Sequence, residues 1–433
     1  MSDQPPDDQN PFRGTPFEQF FGGGAPDLGQ IFSQLQSMMQ PYDGPLNWDF
    51  AIDTARKTVA QQPDPSPSQR QKDEVADAVR LADHWLDETT QFPSGVSSTA
   101  AWSRAEWIVG TTDVWKVLVE PIAASSVGAL SKALPAEAQN MGGPILAMLG
   151  KAIGAMLAQQ VGSGLGALAG EVLSASDIGL PLGAPGTAAL VPANVATFAE
   201  GLDVPESDVL LYLALREAAH QRLFAGVPWL RDHLIGAVTD YAKGIEINTE
   251  RIQETMEERL RGVDPGNLEK MQELMEGGLF DIPRSPQQEA ALQRLEIALA
   301  LVEGWVDEVV SQATAERMPS AGKLQEAVRR RRAAGGPAEE TFATLVGLEL
   351  RPRRLRDAST LWGSLRTRQG TEARDGVWMS PHLLPTDADL DDPLGFREGS
   401  DAPKQLTEDA FDAELRKLLE GGMGGAADGP AEE

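Results

Sequence analysis

The sequence predicts a mainly α-helical fold with at most a small β element. Apolar residues recur at three- and four-residue steps over several long windows, which is the helical period. Only Ile178 to Leu182 and Ala189 to Pro192 are short, apolar and bounded by Gly or Pro in the manner of strands. A Gly- and Ala-rich apolar run from Met141 to Ser174 has the length of a helix or helix pair.

The ends differ from the middle. Residues 1–45 are rich in Pro, Gly, Gln and Asp, the composition of a disordered arm. Within it, Pro16 to Phe21 and Leu28 to Met39 are amphipathic and are candidate docking segments for other proteins. Residues 46–400 form the expected helical domain. Residues 401–433 hold a short helix, Leu406 to Leu419, and then a Gly-rich acidic tail. A chain of 433 residues can bury a sizeable core. Its net charge of −28 argues against a general nucleic-acid binder. The absence of cysteine excludes disulfides, a thiol nucleophile and a cysteine-ligated metal. Imidazole ligands must come from His84, His220, His233 and His382. The N-terminus MSDQPPDDQN lacks the basic and then apolar run of a secretion signal, so the expected location is cytoplasmic.

Taken in order, Trp48 to Gln61 and Ser68 to Glu88 have helical patterns, and His84 reads as a surface or core-edge histidine. Ser103 to Val119 is the next helix, with Trp107 and Trp115 suited to a core. The Met141 to Ser174 run is interrupted by Lys151 and by Gln159-Gln160. It therefore reads as a buried central helix and not as a membrane span, which needs about 20 largely uncharged apolar residues. Its small residues would let another helix approach closely. Glu250 to Gly262 and Pro265 to Gly277 look like charged surface helices. Gln287 to Glu316 is a long helix whose buried stripe includes Leu292, Leu295, Leu299, Val302 and Val306. Glu303 falls on or beside that stripe, with Asp307 one turn later. Thr341 to Leu348 and Pro352 to Thr367 are also helical. The arginine clusters at 329–332 and at Arg351, Arg353, Arg354 and Arg356 are expected to pair with local carboxylates.

The most informative stretch is 203–243. Asp203 and Glu206 have capping-box spacing, Pro205 suits a first turn, and Gly226 and Pro228 end the helix. A second helix, Trp229 to Lys243, follows. Val209, Leu213, Arg216, Glu217, His220, Leu223 and Phe224 share one stripe. Three ionisable groups thus interrupt an apolar face, and burying charge is costly unless it is paired or ligated. The run Arg216-Glu217-Ala218-Ala219-His220 is one residue away from His-Glu-x-x-His. In that motif two histidines a turn apart hold zinc and the glutamate acts as general base. Gly162 to Gly166 has glycine spacing but neither the preceding strand nor the lysine of a phosphate loop, and no nucleophile elbow is found.

Leu215 to Phe224, with Val227-Pro228-Trp229-Leu230, Val302-Glu303-Gly304-Trp305-Val306-Asp307 and the stretch Thr341 to Thr386, resembles the zincin-like hydrolases of actinobacteria. These are labelled zinc-dependent metalloproteases, and one branch is tagged with deazaflavin-coenzyme biosynthesis. The resemblance covers about residues 75 to 395. It implies a zincin-like helical domain, a peptide or protein substrate and a zinc cofactor. It also implies Glu217 as general base, His220 as a zinc ligand and Glu303 as a further zinc ligand. Arg216 departs from the family pattern, since a guanidinium has no lone pair to donate. Two readings therefore stay open. One is a metal-dependent hydrolase using His220, Glu303 and a relocated His233. The other is a catalytically silent relative in which Arg216 supplies the positive charge, zinc is lost and the scaffold serves binding or assembly. A satisfied polar cluster with no function is the bland alternative.

Overall fold

Several helices in this chain begin at capping residues. The computed structural model describes residues 42, 44–133, 143–243, 285–333 and 354–397. Asn47 accepts the amide of Phe50 and starts α1 (Trp48–Val59). Ser68 and Gln71 close a reciprocal capping box at the head of α2 (Gln69–Leu86), satisfying amides that have no partner within the helix. Two further long helices, α3 (Arg104–Ala133) and α4 (Gly143–Glu171), follow. After them come α5 (Pro192–Ala199), α6 (Glu206–Gly226) and α7 (Leu230–Lys243). Ser285 and Gln288 form another capping box, and Pro286 occupies the first turn, at the start of α8 (Pro286–Thr314). The series ends with α9 (Ala321–Ala333), α10 (Leu355–Gly376) and α11 (Asp387–Asp391). The β element is one parallel pair, β1 (Ser98–Ala101) and β2 (Thr187–Leu190), in register Ser98↔Thr187 to Ala101↔Leu190. The fold among the described residues is mainly helical, as the apolar periodicity predicts.

Small residues set the helix packing. A Cβ on Gly162 would lie 2.3 Å from the Ala51 carbonyl oxygen, and one on Gly166 would lie 2.5 Å from Thr58 Cβ. The α4 backbone therefore rides directly on α1, which is the close approach its composition predicts. It is one helix and not a pair. Gly304 does the same between α8 and α10, where a Cβ would meet Ala358 Cβ at 2.5 Å. Trp107 and Trp115 are fully buried in the core. No helix among the described residues is long and apolar enough to cross a membrane.

Several expectations need correction. Asp203 does not cap α6: the helix begins at Glu206 with Pro205 at the N-cap and no side-chain cap. Asp203 takes a left-handed φ of 50°, and its carboxylate lies 3.7 Å from Lys323 instead. Ile178 to Leu182 is turn and bend and not a strand: Gly179 takes a left-handed φ of 79°, and its amide donates locally to the Ser176 carbonyl at 2.9 Å. Strand β2 spans Thr187–Leu190, and Pro192 opens α5, where its missing N–H costs nothing. β1 went unforeseen because Ser-Thr-Ala-Ala has little strand character. The expected helices at 250–262, 265–277, 341–348 and 406–419, and both terminal segments apart from residues 42, 44 and 45, lie outside the described residues.

Candidate functional site

The ionisable stripe on α6 is buried along its length. Arg216 is 5% exposed, Glu217 0% and His220 2%. From α8, Glu303 (0%) reaches the same place and Asp307 lies one turn on. The structure thus brings Arg216, His220 and Glu303 together, and buries Glu217 on the same helix with other partners.

Glu303 is the hub. Arg216 Nη2 donates to its Oε2 at 2.5 Å. On Oε1 it meets His220 Nε2 at 2.9 Å and Arg332 Nη2 at 3.1 Å. Burial pushes this carboxyl up, but Arg332, His220 and Arg216 outweigh that and hold it down at about 2. Burial acts against the Arg216 cation, and Glu303, Tyr212 and Asp307 more than restore it. His220 is held on its other side by the Arg216 carbonyl, 2.8 Å from Nδ1. Both ring nitrogens of His220 therefore face acceptor oxygens.

Glu217 stands apart from this hub. Its Oε2 accepts the Ser176 amide at 3.1 Å, and its Oε1 accepts Gln221 Nε2 at 3.0 Å. Burial raises its carboxyl above the ordinary range, only partly offset by His220 and by hydrogen bonds from Ser174, Gln221 and Ser176. One turn beyond Glu303, Asp307 Oδ2 receives Arg329 Nη2 at 2.5 Å, Ser359 Oγ at 2.8 Å and Gln325 Nε2 at 3.1 Å. Arg216 Nη1 is 3.9 Å from Asp307 Oδ1.

Arg332 and three residues of one loop were not foreseen as site residues. Arg332 belongs to the arginine run read only as a local charge cluster. Its neighbours Arg329 and Arg331 do pair with carboxylates, as expected, but across the fold: Asp307 for Arg329 and Asp177 for Arg331. Arg354 and Arg356 pair with Asp357, Asp387, Asp391 and Glu326. The segment between α4 and β2 supplies Ser176, Asp177 and Gly179. Gly179 has φ +79°, and a Cβ there would lie 3.0 Å from Glu303 Oε1. The signal was available in Ser-Ala-Ser-Asp-Ile-Gly, small and polar residues between two apolar runs. His233 is half-buried against Trp229, with ring centroids 5.4 Å apart. Burial and then Arg294 lower its proton affinity. It makes no contact with the Glu303 cluster. His84 and His382 are on the surface. Among the described residues, no three His, Asp or Glu side chains converge so as to hold a metal ion.

A sequence profile described as "Zincin-like metallopeptidase" matches residues 46–396. A crystal structure from Chloroflexus aurantiacus, described as a "putative hydrolase with a novel fold", superposes with a TM-score of 0.56. It is 20% identical and covers 82% of this chain and 100% of its own. At that identity the likeness speaks for the fold alone. No functionally curated protein matches the sequence.

Proposed function

We propose that this chain, which belongs to the zincin-like metallopeptidase family, is a metal-free member that serves as a binding scaffold and not as a peptidase. The observation that carries the reading is the pair of guanidiniums on Glu303: Arg216 on Oε2 at 2.5 Å and Arg332 on Oε1 at 3.1 Å. The family implies zinc, and the donor set around Glu303 does not fit it. A catalytic zinc site takes three protein ligands with available lone pairs and leaves a fourth position for water. Here both carboxylate oxygens are engaged by cations, and the first residue of the motif is an arginine that cannot ligate. His220 Nε2, the ring nitrogen nearest Glu303, is already in contact with it. A dication placed there would meet two guanidiniums.

The burial of the cluster supports the same reading. A hydrolytic centre must admit water and substrate, whereas Glu217 and Glu303 are both 0% exposed. An arginine between carboxylates satisfies the local charge without a metal, and such a network can fix a unique packing of the helices that carry it. On this reading α6, α8 and α9 are joined by charge where a metallopeptidase would be joined by its ion.

A metal-dependent hydrolase is the second reading. It is favoured by the family and by Glu217, whose carboxyl is raised toward the range of a general base one turn from His220. Metal analysis of protein purified without chelator separates the two. The scaffold reading expects no stoichiometric zinc in the native chain. It expects zinc uptake by Arg216→His combined with Arg332→Met, which clears both guanidiniums from Glu303. Stoichiometric zinc in the native chain, lost on His220→Ala, overturns it.

A further inference from the structure

Three guanidiniums meet two carboxylates where α6, α8 and α9 come together. Arg216 and Arg332 share Glu303, at 2.5 and 3.1 Å. Arg329 holds one oxygen of Asp307 at 2.5 Å, and Arg216 Nη1 lies 3.9 Å from the other. Glu303 and Asp307 are one turn apart on α8, so the five groups form a single network. Both carboxylates are buried, and the Arg216 and Arg332 side chains are each 7% exposed. Arg329 is the least buried member, at 23%.

The network holds one more cation than it has carboxylates. Neighbouring carboxyls are engaged elsewhere: Asp177 takes Arg331, and Glu217 bonds to Ser176 and Gln221. Each of the three guanidiniums also keeps one buried nitrogen with no hydrogen-bond partner among the described residues. These are Arg216 Nη1, Arg329 Nε and Arg332 Nε. Buried donors without partners are the exception in folded proteins, and a buried charge without a counter-charge costs far more than a buried neutral group. Water satisfies such donors but brings no charge. A compact anion supplies both.

We infer that Arg216, Arg329 and Arg332 form a binding site for a halide-sized monovalent anion, chloride or its equivalent, which accepts from their unpartnered nitrogens. The anion is monovalent because the excess is a single charge. It is small because the groups around it are buried. Arg329, half open to solvent compared with the others, marks the side from which it enters. The site rests on the metal-free reading, since a bound dication would enlarge the excess that the anion balances.

The test uses the full chain, with its zinc content measured, in sodium gluconate, whose anion is too large for a buried site. Chloride or bromide then replaces gluconate at constant ionic strength. The melting point should rise saturably, by about 3 °C or more once halide exceeds its dissociation constant about 100-fold. Arg329→Gln removes the excess cation and should abolish the rise. Arg330→Gln, on the exposed side of the same helix, should keep it. If Arg329→Gln does not fold, crystals of the native chain grown in bromide carry the test. An anomalous peak within hydrogen-bond distance of Arg216 Nη1 or Arg332 Nε supports the site. A water at that place, equal melting points in gluconate and halide, or a rise retained in Arg329→Gln overturns it. Stoichiometric zinc overturns the metal-free reading together with the site, whereas no zinc and no halide response overturns the anion site alone.

Discussion

Arg216→Met tests the buried pair most directly. Methionine keeps the aliphatic reach of the side chain and removes the cation 2.5 Å from Glu303. Taking one partner from a buried ion pair typically costs about 3–5 kcal/mol, because the other charge is left uncompensated. Here Glu303 keeps Arg332 at 3.1 Å and His220 at 2.9 Å. The loss is therefore placed at the low end, about 3 kcal/mol. With a urea dependence of about 3 kcal/mol per molar, the unfolding midpoint falls by about 1 M. Glu303→Gln should cost at least as much, since two guanidiniums lose the carboxylate between them. The double variant removes both the charge and its partner. It should recover about 2 kcal/mol of the summed losses, within the range seen for coupled neighbours. Circular dichroism against urea gives all four corners of the cycle. If Arg216→Met costs under about 1 kcal/mol and the two losses simply add, the pair is hydrated and the reasoning from burial fails.

The other predictions follow from neighbouring groups. Glu303 sits at about 2 instead of the ordinary 4.5; a depressed carboxyl stabilises the fold above the unfolded value, by about 3 kcal/mol at neutral pH. That stability should be lost as pH falls from about 4.5 toward 2, and the acid limb should flatten in Glu303→Gln, read by urea midpoints at stepped pH. Glu217 is raised instead, so its ionisation costs stability at neutral pH; Glu217→Gln, able to accept the Ser176 amide still, should leave the urea midpoint unchanged or higher at pH 7. Gly179→Ala forces a side chain into a left-handed backbone and toward Glu303 Oε1; a melting-point drop corresponding to about 1–2 kcal/mol is expected. Gly304→Ala wedges α8 from α10 and should cost about 1–3 kcal/mol by the same assay.

The readable parts of the sequence were those written in a single helix. The α6 stripe announced itself because charged residues at three- and four-residue steps on an apolar face must be reconciled with burial. Glu303 was legible for the same reason, lying between Leu299 and Val306. The tight seat of α4 on α1 was legible in its glycines. What could not be read was contact between distant segments. Nothing near Arg332 in sequence says that it crosses to Glu303, and nothing near Asp177 says that α9 will meet it. Ile178 to Leu182 looked like a strand because apolar residues between Gly and Pro suit either a buried turn or a strand, and only the partner decides. Asp203 looked like a cap because spacing alone does not reveal a positive φ.

On the proposed reading, the arithmetic of charge lets two arginines stand where a metal ion would, without loss of the fold. A zinc ion brings two positive charges to a carboxylate and an imidazole. Arg216 and Arg332 also bring two, one to each oxygen of Glu303. The electrostatic requirement on α8 is therefore met either way, and the helices need not move apart. The chemistry is not equivalent. A guanidinium stays protonated near neutral pH and offers no open coordination position, so it cannot lower the pKa of a water molecule as a bound metal does. It also binds through a long side chain fixed to the backbone, so it does not dissociate. On the proposed reading, the exchange converts a centre that must stay open to solvent into one that gains from being sealed. The closure of Ser176 over Glu217 and of Gly179 over Glu303 is what that conversion requires.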